Sequence, residues 1–147
     1  MSGARAAAAT LLDCILVGGC STPLIGDDLH MCSAAELLSS SIAITEESFA
    51  LDLDERPEEA VERAVQALGL AERASRELQQ VEAAAQAAPV WQSLIRAYEA
   101  AADAARSLFP EPQERGLSGP ELLSVARHTL DGARVGVPPI CFTMSAP

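Results

Sequence analysis

The chain has 147 residues, enough for one domain with a small hydrophobic core, and only 3% of them are aromatic. Its formal charge of −11 excludes non-specific nucleic-acid binding, because basic side chains must neutralise the phosphates. No apolar run approaches the roughly 20 residues that cross a bilayer, so we expect no membrane-spanning segment. Abundant alanine favours helices that bury little apolar area, which is typical of a subunit completed by partners.

The first region, residues 1–45, is predicted to contain short helices and a loop. Residues 4–17 favour a helix, and residues 21–32 combine proline, glycine and two aspartates, which is typical of a loop. Ser33 and Glu36 have the spacing of a capping box, in which each side chain bonds the other's free backbone N–H. A short helix is therefore predicted to begin at this pair.

Residues 17–20, Val-Gly-Gly-Cys, resemble the cleavage motif of a bacterial lipoprotein, in which the cysteine carries the lipid. An arginine and an apolar run precede the motif, as such a leader requires. Asp13 lies within that apolar run, however, and a carboxylate is costly in a membrane. We therefore expect an ordinary helix end and keep a lipid-anchored or exported protein, processed at Cys20, as the alternative.

Four cysteines, at positions 14, 20, 32 and 141, include no Cys-x-x-Cys pair, so no zinc or thioredoxin-like site is indicated. We expect reduced, buried thiols, with a disulfide as the other possibility. Asp28, His30 and Cys32 alternate, but a metal site needs a further ligand, and the only other histidine is His128. We predict no metal and no cofactor; a thiol- or metal-dependent activity of His30 and Cys32 is an alternative.

Residues 46–62 carry eight acidic side chains against a single arginine, Arg56. This run is predicted to form a solvated acidic linker over 46–56, followed by the acidic first turn of a helix, where carboxylates suit the helix dipole. The alternative is a docking strip for a basic partner, which would make the chain a small acidic inhibitor.

A long helical hairpin is predicted over residues 57–109. Pro57 suits a first helical turn, and the first helix could run to Ala88, since the next proline follows only there. Its apolar side chains form two phases, and Gly69 between them predicts a kink or break. The first phase is Val61, Val65 and Leu68, and the second, at heptad spacing, is Ala71, Ala74, Leu78, Val81, Ala85 and Ala88.

The second helix of the hairpin, residues 90–109, carries a broad apolar stripe with the only tryptophan and tyrosine of the chain. A helix with so wide an apolar face must bury it against the preceding helix, against partner helices or against both. The predicted partner-binding residues, including two from the following helix, are Trp91, Leu94, Ile95, Tyr98, Leu108, Leu122 and Leu123.

The last region, residues 110–147, is predicted to form a helix followed by an extended apolar tail. Ser118 and Glu121 have capping-box spacing and Pro120 suits a first turn, so the helix is predicted to begin there. A glycine and a proline pair after it are typical of a helix end.

The segment LSGPELLSVARHTLDGARVGVPP, which follows the predicted hairpin, resembles the fourth subunit of the eukaryotic Mediator complex. Val125 departs from that family, which usually has an aromatic residue at this position. The resemblance implies a non-catalytic, nuclear subunit of the middle module, bundled with other long helices, whose basic residues contact partners rather than DNA. The positions that carry it are Leu122, Leu123 and Ala126 in the helix and Pro138 and Pro139 in the proline turn.

The sequence contains no P-loop, no dinucleotide-binding glycine motif and no nucleophile elbow. We therefore predict an all-α protein that is not an enzyme: an extended helical hairpin or coiled-coil-like bundle with shorter flanking helices. Its predicted role is an intracellular scaffold subunit that binds other helical proteins. We expect it to bind neither nucleic acid nor a small-molecule substrate, and membrane association is not expected.

Overall fold

The computed structural model describes residues 26–110 and 116–135, which contain helices and no strand. Four α-helices pack as a bundle, which confirms the predicted all-α class. The most extensive contacts join α1 to α2 and α3 to α4, and α2 packs on α3 to connect the two pairs. The helices are α1 Asp27–Leu53, α2 Pro57–Gln79, α3 Pro89–Arg106 and α4 Gly119–Ala133, with a 3-10 turn at Ala85–Ala87.

The first helix, α1, is a single element of 27 residues, where the sequence predicts short elements, a loop and a linker. Between its ends the chain contains neither glycine nor proline, so nothing interrupts the helix. The prediction of a loop is therefore wrong for residues 27–32, and residues 46–53 of the predicted acidic linker are helical. Ser33 and Glu36 lie inside α1 rather than at its start, because Asp27 and Asp28 already occupy its first turn.

Three residues turn the chain from α1 into α2. Glu55 has a φ of 59°, the left-handed conformation that favours glycine. Pro57 begins α2 as predicted, and Arg56 Nε donates to Glu59 Oε1 at 2.7 Å across the first turn. This hydrogen bond and the charge of Glu59 raise the pKa of Arg56. The acidic run thus forms the tip of a helical hairpin.

The second helix, α2, buries alanine and leaves valine outside. The first predicted apolar phase does not form the buried face of α2: Val65 is 56% exposed and Val61 only partly covered, while Leu68 packs against the core. The heptad phase predicted from residue 71 onward extends back to the start of the helix, and α2 continues through Gly69 without a break. Its buried residues are Ala60, Ala64, Ala67, Ala71, Ala74 and Leu78.

The contact between α1 and α2 combines these alanines with buried hydroxyl groups. Ser41 Oγ donates to the carbonyl of Ala67 at 2.7 Å, which joins the two helices directly. Thr45 and Ser48 donate to the carbonyls four residues earlier in α1, at 2.9 and 3.0 Å, so their buried hydroxyls are also satisfied. A side chain as short as serine reaches a neighbouring backbone only where two helices lie close together, which alanine permits.

The end of α2 is set by tertiary contacts. Helix propensity alone would carry α2 to Ala88, but it ends at Gln79. Trp91 Nε1 of α3 donates to the carbonyl of Leu78 at 2.9 Å, and the backbone N–H of Glu82 donates to Asp27 Oδ1 at 3.0 Å. These bonds satisfy backbone groups near the end of α2 that no longer have a helical partner, and they hold the segment that leads into α3.

The capping box that the sequence predicts at α4 is confirmed. Glu121 N donates to Ser118 Oγ at 3.3 Å, and Ser118 N donates to Glu121 Oε1 at 2.9 Å. The two hydrogen bonds with Ser118 lower the pKa of Glu121. Gly119 lies tightly against α1 and α3, because a Cβ there would come within 2.9 Å of Phe49 Cζ and would overlap Ser107.

Candidate interaction surfaces

Three of the predicted partner-binding residues lie in the core of the bundle. Leu94 is fully buried, and Leu122 and Leu123 are 9% and 5% exposed. Their apolar surface belongs to the core that α3 and α4 share with the rest of the chain. In the folded bundle these three residues contact the chain's own core, and their partner role stays a prediction.

The remaining predicted partner residues are only half-buried. Trp91, Ile95 and Tyr98 pack against the margin of the core and keep part of their surface in solvent. Steps of four and three residues place them on successive turns along one side of α3. We call these three residues the α3 edge. Leu108, just beyond the end of α3, is half-buried as well.

Small side chains fill most of the core of this bundle, and its tryptophan and tyrosine lie at the margin of the core. The largest fully buried side chains are leucines and hydroxyl residues, and alanine fills most of the other buried positions. The only tryptophan and the only tyrosine of the chain lie instead at the α3 edge. Aromatic side chains normally dominate the burial of apolar area, so their placement at the margin leaves large apolar side chains only partly covered.

A second surface was not predicted from the sequence. It is a shallow groove on the outer side of the α1–α2 hairpin, made of two depressions of about 580 and 520 Å³ that share Gln66. Its apolar floor contains Ile44, Leu51 and Leu70, each of them half-buried. Gly69 also lines it, and a Cβ at that position would meet only open space. We call this surface the outer groove.

The sequence did contain a signal for the outer groove. Leu37, Ile44 and Leu51 recur every seven residues in α1, which is the repeat of a coiled-coil seam, and all three are half-buried. Ile44 and Leu51 line the outer groove, whereas Leu37 packs against the core of the bundle. The pattern is hidden because the predicted acidic linker cuts α1 in two. A seven-residue repeat becomes visible only when residues 27–53 are taken as one helix.

All eight acidic side chains of residues 46–62 are exposed towards the tip of the α1–α2 hairpin, whereas Ser48 and Ala60 between them are buried. Glu46 forms an ion pair with Arg127 of α4 at 2.8 Å, and both side chains remain largely in solvent. Exposed pairs of this kind stabilise a fold only weakly. The run therefore forms a solvated helical surface, part of which lines the outer groove.

The side chains considered for metal binding are separated in the structure. Asp28, His30 and Cys32 lie in the first turns of α1, where residues two apart point to different sides. His30 Nδ1 lies 2.8 Å from Glu77 Oε1 of α2, and His128 is exposed on α4. Among residues 26–110 and 116–135, no group of three or more His, Cys, Asp or Glu side chains is placed to hold a metal ion.

The expectation of a reduced thiol is wrong for Cys32, which is buried and disulfide-bonded. The other cysteines of the sequence, Cys14, Cys20 and Cys141, lie outside the described residues. The same holds for the helix predicted over residues 4–17 and for the predicted apolar tail. A disulfide is typical of an oxidising compartment and uncommon in cytosolic and nuclear proteins.

No protein-family model matches the chain, and neither a curated protein nor a solved structure matches it. The fold and the two surfaces define its class as a small all-α bundle with half-covered apolar faces. None of the helices within the described ranges is long and apolar enough to cross a membrane.

Proposed function

We propose that the chain is a non-enzymatic helical subunit of a multiprotein assembly that binds partner helices through the α3 edge. The observation that carries this proposal is the position of Trp91 and Tyr98, which lie half-exposed at the margin of an alanine-filled core. Tryptophan and tyrosine are the side chains that contribute most to protein–protein contacts, because they bury a large area at a small entropic cost.

The resemblance to the fourth Mediator subunit supports a finer proposal, a coactivator of the Mediator type. Its apolar helix positions, Leu122, Leu123 and Ala126, form the buried face of α4, and Val125 is 41% exposed. In such an assembly α4 would hold α3 in place, and the α3 edge would face the neighbouring subunit.

The test is affinity purification of the tagged full-length chain from its native source, comparing wild type with an Ile95→Ser/Tyr98→Ser double variant. We expect wild type to retain several helical proteins in stoichiometric amounts and the double variant to lose them. Val125→Ser is the matched control, because it removes an exposed apolar side chain from α4 instead. Transcription components among the retained proteins would support the Mediator-type assignment.

Retention of the same proteins by the double variant would contradict the proposal. Thermal unfolding must show that both variants remain folded at the temperature of the purification. A Leu94→Glu substitution is unsuitable for this purpose, because Leu94 is fully buried and a carboxylate there would unfold the bundle whether or not a partner exists.

The disulfide of Cys32 favours a second candidate, an exported helical protein, which includes the lipid-anchored form processed at Cys20. The lipid-anchored form makes a sharp prediction about disulfide pairing. Processing would remove Cys14 with the leader, and the lipid would occupy the sulfur of Cys20. Only Cys141 would then be left in the same chain as a partner for Cys32.

Peptide mapping without reductant, together with the intact mass of the native chain, tests the lipid-anchored candidate. A Cys32–Cys141 linkage on an acylated chain that begins at Cys20 would establish it. A Cys32–Cys14 or Cys32–Cys20 linkage would exclude it. A chain from the nucleus with Cys32 fully reduced would exclude export altogether.

A further inference from the structure

The charges along the α2 side of the outer groove are arranged antisymmetrically. Near the hairpin tip the groove is lined mainly by acidic side chains, together with Arg56 and Arg63. At its other end it is lined by Arg73 and Arg76, together with Glu72. Glu59 and Arg76 are equally far from the midpoint between residues 67 and 68, and so are Glu62 and Arg73. The outer groove therefore carries opposite charges at matching distances from its centre.

Glu62 and Arg73 are 11 residues apart, about three turns, so they also lie on the same side of α2. Arg63 and Glu72 lie on opposite sides of α2, because nine residues make about two and a half turns, and they add no further pair. At the centre, Gln66 is matched with Gly69, which has no side chain and leaves open space at the surface. A second helix can therefore approach α2 most closely where its charges change sign.

We propose that the outer groove is the interface of a two-fold symmetric dimer of this chain, in which α2 crosses α2 of the second copy in antiparallel orientation. A two-fold axis opposite residues 67 and 68 places Glu62 of each copy beside Arg73 of the other. This pair occurs twice, because a two-fold interface uses the same surface on both copies.

The apolar floor of the groove would be buried in the dimer, and this burial would stabilise the dimer in addition to the ion pairs. Ile44 and Leu51 of α1 and Leu70 of α2 are half-buried in the single chain, so further apolar surface can be covered. The charge pairs then determine the register, which is the role that complementary charges play at helix interfaces. This surface is separate from the α3 edge, so the dimer and the proposed partner binding are independent.

The test is sedimentation equilibrium of the full-length chain and of charge variants, with a non-reducing gel to exclude intermolecular disulfides. Wild type should show a reversible monomer–dimer equilibrium. Glu62→Arg and Arg73→Glu should each weaken dimerisation at least about tenfold, because each places two like-charged pairs in the interface. The Glu62→Arg/Arg73→Glu double variant should recover an affinity close to that of wild type, because the swap restores both pairs.

Non-specific charge repulsion predicts a different result. The chain carries a formal charge of −11, so Glu62→Arg would strengthen a merely charge-limited association and Arg73→Glu would weaken it. The proposed geometry predicts that both weaken the dimer. Arg96→Glu, an exposed arginine of α3, is the matched control for net charge and should leave dimerisation close to wild type.

Two outcomes would overturn the proposal. The first is a chain that remains monomeric up to roughly 200 µM, a range that covers weak reversible association. The second is a dimer that Glu62→Arg strengthens or that the double swap fails to restore. All these positions are exposed in the single chain, so circular dichroism should show the same helical content in every variant.

Discussion

The two helix pairs of this bundle are held together in different ways. The α1–α2 pair packs alanine against serine and threonine, with a hydroxyl of one helix bonded to the backbone of the other. The α3–α4 pair buries alanine as well, six of them in α3, but it also buries four leucines, Leu94, Leu122, Leu123 and Leu130, compared with Leu38 and Leu78 in the first pair. The first pair gains stability from the close approach of two backbones, and the second gains it from the apolar area of large side chains.

This difference predicts opposite sensitivities to mutation. A contact built on close approach has no room for a larger side chain, whereas a contact built on apolar area suffers most when a side chain is removed. Substitutions that enlarge a residue should therefore act mainly on α1–α2, and substitutions that truncate one should act mainly on α3–α4.

The largest effect is expected for Leu94→Ala, which leaves a cavity in the leucine-rich half. We expect a loss of about 2–5 kcal/mol in the free energy of unfolding, measured by urea denaturation. Leu53→Ala is the matched control, because Leu53 is 83% exposed and its truncation should leave stability almost unchanged. Equal effects of the two substitutions would show that Leu94 is not a core residue.

The next effect tests the alanine-rich half. Ala67→Leu inserts a larger side chain into the contact with α1, where the Ala67 carbonyl accepts from Ser41, and should cost about 1–3 kcal/mol. Val65→Leu, on the exposed side of the same helix, should change the stability by less than about 0.5 kcal/mol. A stabilising Ala67→Leu would mean that α1 and α2 lie further apart than the serine hydrogen bond requires.

A smaller effect is expected at the start of α4. Ser118→Ala removes the hydroxyl that accepts from Glu121 N and should lower the free energy of unfolding by about 1 kcal/mol. Ser124→Ala lies on the exposed side of the same helix and controls for the loss of a serine. The capping-box interpretation would be contradicted if thermal denaturation gave the same midpoint for both variants.

The smallest effect is the pH dependence that Glu121 confers. Its pKa is lower in the folded chain than the ordinary value of 4.5, so its contribution is fully present above that value. The contribution fades as the pH falls through the lowered pKa, because the folded chain then binds the proton that the unfolded chain already holds. Glu121→Gln should reduce the loss of stability that wild type shows as the pH falls below about 4.5, and an unchanged profile would contradict this assignment.

The fold class and the start of α4 were predictable from the sequence because they depend on local signals. Alanine content, absence of strand patterns and the Ser118–Glu121 spacing each act within a few residues. The length of α1 is not predictable from charge, because a run of acidic residues is compatible both with a linker and with an exposed helix surface. The outward position of Val65 was missed because hydrophobicity does not reveal that close helix packing favours alanine inside.

The surfaces were harder to predict than the fold. The stripe on α3 was recognised, but periodicity could not divide it into Leu94, which the chain covers itself, and the α3 edge, which it covers only in part. Which residues of the stripe are buried and which are half-exposed depends on how α2 and α4 pack against α3. The charge antisymmetry of the outer groove is present in the sequence, but it acquires meaning only when the groove shows which side of α2 is open.

Because Trp91 donates a hydrogen bond to the Leu78 carbonyl, its fluorescence can report on the contact between α2 and α3. The chain contains one tryptophan, and its indole lies where α2 passes into α3. Separation of the two helix pairs would expose the indole and shift its fluorescence to longer wavelength, while each pair could still keep its helical circular dichroism. The emission wavelength of this tryptophan, compared with the helical circular dichroism, would thus distinguish separation of the two helix pairs from global unfolding of the bundle.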